Sequence, residues 1–102
     1  MSIFRRHSVS VARAQQLLAD GWQLVDVRTA REWKTDHLPA AMHIPLDRLD
    51  RSLGQLPANA QIVTICHSGM RSAMAARTLR GHGRTAVTVR GGMLAWRREA
   101  SA

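Results

Sequence analysis

Gln61-Ile62-Val63-Thr64-Ile65-Cys66-His67-Ser68-Gly69-Met70-Arg71-Ser72 runs a β-branched segment straight into the only cysteine of the chain. Four residues separate Cys66 from Arg71, and Ser72-Ala73-Met74-Ala75-Ala76-Arg77-Thr78-Leu79-Arg80 follows at once. The apolar run reads as a buried strand and the Ala/Leu/Arg segment as a helix, so Cys66 stands at the mouth of a tight strand–loop–helix turn. The first N–H groups of a helix lack intrahelical partners. With the helix dipole and curled loop amides, they make a pocket suited to an anion. A thiol placed there has its thiolate stabilised and becomes a usable nucleophile near neutral pH. Gly69 lets the backbone turn, and Arg71 can aim a permanent charge at whatever lies over the sulfur. A lone cysteine is more often an inert core residue, but a strand, Gly, Arg and helix around it argue for a reactive one.

Outward from this turn, elements alternate. Phe4 to Val9 offers a short edge strand. Ser10 caps a helix with Val11, Ala14, Leu17 and Leu18 on one face, ended by Asp20-Gly21. Trp22 to Val27 reads as a strand, nearly continuous in apolar character and so central in a mostly parallel sheet covered on both faces. Arg28 to Lys34 reads as a short helix capped by Thr29, and His37-Leu38-Pro39-Ala40-Ala41 as a turn. Met42-His43-Ile44 is a brief strand. Leu46 to Leu53 reads as a helix, Ala86 to Val89 as a strand, and Gly91-Gly92 opens a final helix with Trp96 inward. The expectation is one α/β domain over residues 1–102 with no repeat or linker.

Composition narrows the function classes. Apolar content is 45%, ordinary for a globular domain. One cysteine excludes an intramolecular disulfide and a cysteine-rich metal site, and it fits a reducing compartment. The N-terminus lacks a secretory apolar core and no segment is long enough to span a bilayer, so a soluble, cytoplasmic protein is expected. Net charge is +8, with fourteen of the fifteen basic residues arginine. The arginines are scattered, with few aromatics to stack bases, so a solvated surface is expected rather than nucleic-acid binding.

The chain resembles a single-domain rhodanese-like sulfurtransferase from roughly Val9 to Trp96. The parts that carry the resemblance are Asp26-Val27-Arg28 with Glu32, His37-Leu38-Pro39-Ala40-Ala41, His43-Ile44-Pro45, the loop Cys66 to Arg71, and Gly91-Gly92 with Trp96. The resemblance implies a three-layer fold with a central, mostly parallel five-stranded sheet and helices on both faces. It implies catalysis through a Cys66 persulfide in a loop formed by His67, Ser68, Gly69, Met70, Arg71 and Ser72. The donor would be thiosulfate or a persulfide, and the acceptor cyanide, a small thiol or a protein thiol, an acidic protein among them. No cofactor or metal is expected. Phosphatases and arsenate reductases related to this family have a loop one residue longer, so the short loop favours sulfur over phosphate chemistry. A sulfur carrier or persulfide sensor with little turnover is the alternative that the same loop would serve.

Met70 offers no charge, which favours a persulfide over thiosulfate as donor. His67 either tunes the thiolate or contributes only its backbone. Ser68 and Ser72 are expected to donate hydroxyls toward the sulfur. Among supporting residues, Arg28 and Glu32 are spaced to pair across one helical turn, and Asp26 to hold loops near the site. His37 and His43 read as hydrogen-bonded turn histidines, and Trp33 and Trp96 as core anchors.

Overall fold

The computed structural model describes residues 7–100. Five strands form one parallel sheet in the order β1-β5-β4-β2-β3: β1 Ser8–Val9, β2 Gln23–Asp26, β3 Met42–His43, β4 Gln61–Ile65 and β5 Thr85–Val89. The helices are α1 Val11–Ala19, α2 Ala30–Thr35, α3 Met70–Gly81 and α4 Gly92–Glu99. No helix among the described residues is long and apolar enough to cross a membrane.

Alternation along β4 explains the two layers. Val63 and Ile65 join Val11, Leu17, Val89 and Met93 in one core, while Ile62 and Cys66 join Val25, Val27, Ala75 and Leu79 in the other. Successive strand side chains point to opposite faces, so an unbroken apolar run needs a helix on each side. Each buried Val, Leu, Ile or Met side chain among these contributes about 1.5–3 kcal/mol on burial.

The strand order also locates a crevice. From β2 the chain moves through α2 to β3 on one side, and from β4 through α3 to β5 on the other. The carboxyl ends of β2 and β4 therefore flank the point where connections diverge, the place where open α/β sheets hold ligands. Cys66 follows β4 directly.

Several local expectations change. Of the Phe4–Val9 strand, Ser8–Val9 pairs with β5 at the sheet edge, and Phe4 to Arg6 lie outside the described residues. Leu46–Arg51 and Leu53–Gln55 are two 3₁₀ turns rather than one α-helix. The break falls at Ser52, and only Leu49 is fully buried there, so little apolar face rewards an α-helix. Helix α3 begins at Met70, two residues before the expected start, because Gly69 makes the turn in a left-handed conformation at φ 113°.

Candidate active site

The loop wraps its backbone around the cysteine sulfur. The Gly69 N–H donates to Cys66 Sγ at 3.1 Å and the Ser72 N–H at 3.3 Å. For those amides to face inward, the loop carbonyls must face elsewhere. The Cys66 carbonyl accepts from the Met93 N–H at 2.7 Å and the His67 carbonyl from the Leu94 N–H at 3.1 Å. The first turn of α4, whose N–H groups would otherwise lack partners, thus clamps the loop from behind. Gly92 makes the approach feasible. It sits at φ 57°, and a Cβ there would collide with the Cys66 and His67 carbonyls.

The sulfur lies at the floor of the loop rather than at its mouth: Cys66 is 1% exposed. The reason is geometric, since main-chain donors reach the sulfur only when the loop closes around it. Ser72 is fully buried, and its hydroxyl donates to the Gly69 carbonyl at 3.2 Å instead of turning to the sulfur. Thr88 Oγ1 donates to Ser72 Oγ at 2.7 Å, and Thr64 Oγ1 to the Ser72 carbonyl at 2.7 Å, tying the helix start to β4 and β5. His67 and Ser68 are exposed, and His67 serves the loop's architecture through its carbonyl.

Arg71 differs most from expectation. Its Nη1 and Nη2 donate to Glu32 Oε1 at 2.6 Å and Oε2 at 2.8 Å, a bidentate pair. Glu32 is fixed in turn by a capping box, accepting from the Thr29 N–H at 3.0 Å while Thr29 Oγ1 accepts from the Glu32 N–H at 3.2 Å. The expected Arg28–Glu32 pair is therefore replaced. The Thr-x-x-Glu spacing of Thr29 and Glu32 is the sequence signal from which Glu32's part in this cap could have been read. Glu32 is held down to about 2, first by its hydrogen bond to Arg71, against desolvation and with help from Thr29. The Arg71 pKa is raised, first by its hydrogen bond to Glu32 and against desolvation by burial.

Arg28 instead completes a buried pair at the end of β2. Its backbone N–H and Nε each donate to Asp26 Oδ1 at 3.0 Å, and its Nη2 to Oδ2 at 2.8 Å. Nη2 also donates to the Asp36 carbonyl at 2.8 Å, which binds the residues after α2 to the sheet. The Arg28 pKa is raised, chiefly by the bond to Asp26. Asp26 is thus wholly engaged in holding Arg28 at the end of β2.

Trp33 is half-buried and belongs to neither core. It stacks on His37 at 3.6 Å between ring centres and on His43 at 4.7 Å. The rings are fixed by bonds to carbonyls, His37 Nδ1 to Trp33 and His43 Nε2 to Arg28, each at 2.8 Å. Trp96 packs, half-buried, against the α1–α4 core.

Two cavities flank the loop. One of about 690 Å³ runs from Arg71 past Val27, His43, Ile44 and Leu46 to Gln55. The other, about 330 Å³, lies against the outer side of the loop at Ser68, Gly69 and Met70.

A single thiol held by main-chain donors, at the divergence point of a parallel sheet, defines a cysteine-loop α/β domain. The sequence pattern of the Rhodanese-like domain matches residues 10–99, and the chain belongs to that family. It is 40% identical over 74 residues to the putative sulfur carrier protein YrkF of Bacillus subtilis, covering 72% of this chain but only 40% of that protein. It is 32% identical over 98 residues to the thiosulfate sulfurtransferase GlpE of Pseudomonas savastanoi pv. phaseolicola, covering 95% of this chain and 91% of the relative. Among solved structures, the human single domain sulfurtransferase TSTD1 superposes with a TM-score of 0.83 at 26% identity, covering 91% of this chain and 96% of that one.

Proposed function

We propose that the protein is a sulfurtransferase that carries sulfane sulfur on Cys66. The Cys66 thiolate attacks the outer sulfur of a donor. The donor's sulfur–sulfur bond breaks, and its leaving group departs with the electron pair, as sulfite from thiosulfate or a thiolate from a persulfide. The new Cys66 persulfide keeps its negative charge on the terminal sulfur, about 2 Å beyond Sγ. An acceptor, cyanide or a thiolate, then attacks that terminal sulfur and regenerates the Cys66 thiolate. The two half-reactions predict ping-pong kinetics.

The observation that carries this reading is the inward pair of N–H donors on Cys66 Sγ. Donors set before charge arrives stabilise it without reorganisation. The tight loop around a buried sulfur also favours chemistry on one sulfur atom over a tetrahedral phosphate. Engagement of Arg71 by Glu32 supports a persulfide as the better donor, because the cation that thiosulfate would need is already paired. The reducing compartment that such a thiol needs is the cytoplasm.

Intact mass spectrometry after incubation with thiosulfate or glutathione persulfide tests the proposal. A gain of one sulfur atom, reversed by cyanide or a reducing thiol, is the expected result. No gain with either donor overturns it. Similarity to a sulfur carrier favours one second reading, a carrier that loads once and turns over little. Steady-state turnover with free small thiols separates the two.

A further inference from the structure

The smaller cavity has a chemistry of its own. It opens between α3 and the β5–β1 edge, with Ala73, Ala76 and Thr88 among its lining and Arg80 and Arg90 both facing it. Both arginines are anchored on neutral carbonyls. Arg80 Nη1 donates to Ala86 at 3.1 Å and Arg90 Nη2 to Ser8 at 2.8 Å. A guanidinium has five donors in a fixed fork, so both keep N–H groups beyond these anchors.

No carboxylate among the described residues forms an ion pair with either. Asp26 and Asp36 pair with Arg28, Glu32 with Arg71, Asp36 also with Arg97, Asp50 with His82, and Glu99 with Arg98. The Arg80 pKa is lowered, first by burial and then by neighbouring Arg77, as befits a cation with no opposite charge beside it.

We propose that this cavity binds a small doubly charged oxyanion of the phosphate–sulfate class. Arginine forks match the oxygen geometry of such anions. The volume is at the lower end for ligand sites, which suits a small anion, and His7 is the one ring in its lining. The bound anion meets the outer face of Ser68, Gly69 and Met70, so occupancy is coupled to the loop that grips Cys66. The cavity adjoins the cysteine loop through Ser68, Gly69 and Met70, but Cys66 is not in its lining, so the proposal stands without the transfer reaction.

The test is a titration of the Cys66→Ser protein at low ionic strength with inorganic phosphate, sulfate and thiosulfate in separate arms. Backbone amide NMR shifts are followed at Ser68, Met70 and Arg90. Saturable shifts are expected, with phosphate and sulfate affinities within a few-fold of each other. Arg90→Gln should weaken both at least tenfold, and Arg80→Gln/Arg90→Gln should abolish them, whereas Arg71→Ala should change neither. Arg90 is exposed, so its variant stays folded even if loss of the Arg80 anchor disturbs the double variant. Absence of saturation, unchanged affinity in Arg90→Gln, or saturation by thiosulfate alone overturns the proposal. In a separate sample with Cys66 intact, Arg90→Gln should still gain sulfur by mass, which keeps this test apart from that of the transfer reaction.

Discussion

The two flanks of the cysteine loop are built from different materials. On the β2 side, side-chain charge holds it: Arg71 is clasped by Glu32, itself set by the Thr29 cap. On the α4 side, backbone holds it, through the Met93 and Leu94 amides and a glycine at positive φ, while the nearby Arg80 and Arg90 have no acidic partner among the described residues. A net charge of +8 is therefore not uniformly available. Arg71 in the cysteine loop shares its charge with Glu32, whereas Arg80 and Arg90 have no such carboxylate. Proximity to a site does not make a cation free to serve it.

The largest expected effect removes the atom that both flanks serve. Cys66→Ser should abolish sulfur gain by mass spectrometry and all transfer to cyanide, with circular dichroism unchanged. Residual transfer would place the nucleophile elsewhere.

Breaking the backbone flank comes next. Gly92→Ala must relieve both an unfavourable φ and a clash with two carbonyls, at a cost of roughly 2–4 kcal/mol. Chemical denaturation should show that loss, and any folded fraction should load sulfur slowly because the loop amides no longer point inward. Wild-type stability in Gly92→Ala would mean that α4 does not clamp the loop.

The side-chain flank should respond with opposite signs to its two members. Arg71→Ala should raise the KM for thiosulfate, and Glu32→Gln, by releasing Arg71, should lower it, each on the order of threefold to tenfold and less at high salt. A change in the same direction for both would show that the pair acts only as a brace. Because Glu32 is lowered from 4.5 to about 2, its ionised form stabilises the fold fully above about 4.5, and that stabilisation is lost as pH falls toward 2. Acid unfolding of Glu32→Gln should accordingly be less steep over that window, while the two proteins should run parallel above it. The smallest effect is expected from Thr29→Ala, which removes one cap for about 1 kcal/mol and a modest loss in thermal midpoint.

Much of this was legible in the chain. The run Ile62 to Ile65 ending at Cys66 revealed a central strand and its loop, and Ser10 and Thr29 marked helix starts that the structure bears out. Other features were not. Glu32 stands four residues from Arg28, a spacing that fits a helical pair, yet its capping role turns the carboxylate toward Arg71, thirty-nine residues away. Gly92 reads as a helix opener, and only its packing shows which carbonyls it admits. Trp33 reads as core because of its area, and the histidines that cover it lie on two separate elements.

Sequence alone determined the parallel α/β scaffold and the place of Cys66 at the end of its central strand, because apolar runs, glycines and caps act over a few residues. Only the tertiary structure decided how deep the sulfur lies, which amides face it, which arginine is paired and which cavity stays cationic. Those outcomes depend on groups from distant elements competing for the same donors and acceptors, and that competition is settled only when the elements pack.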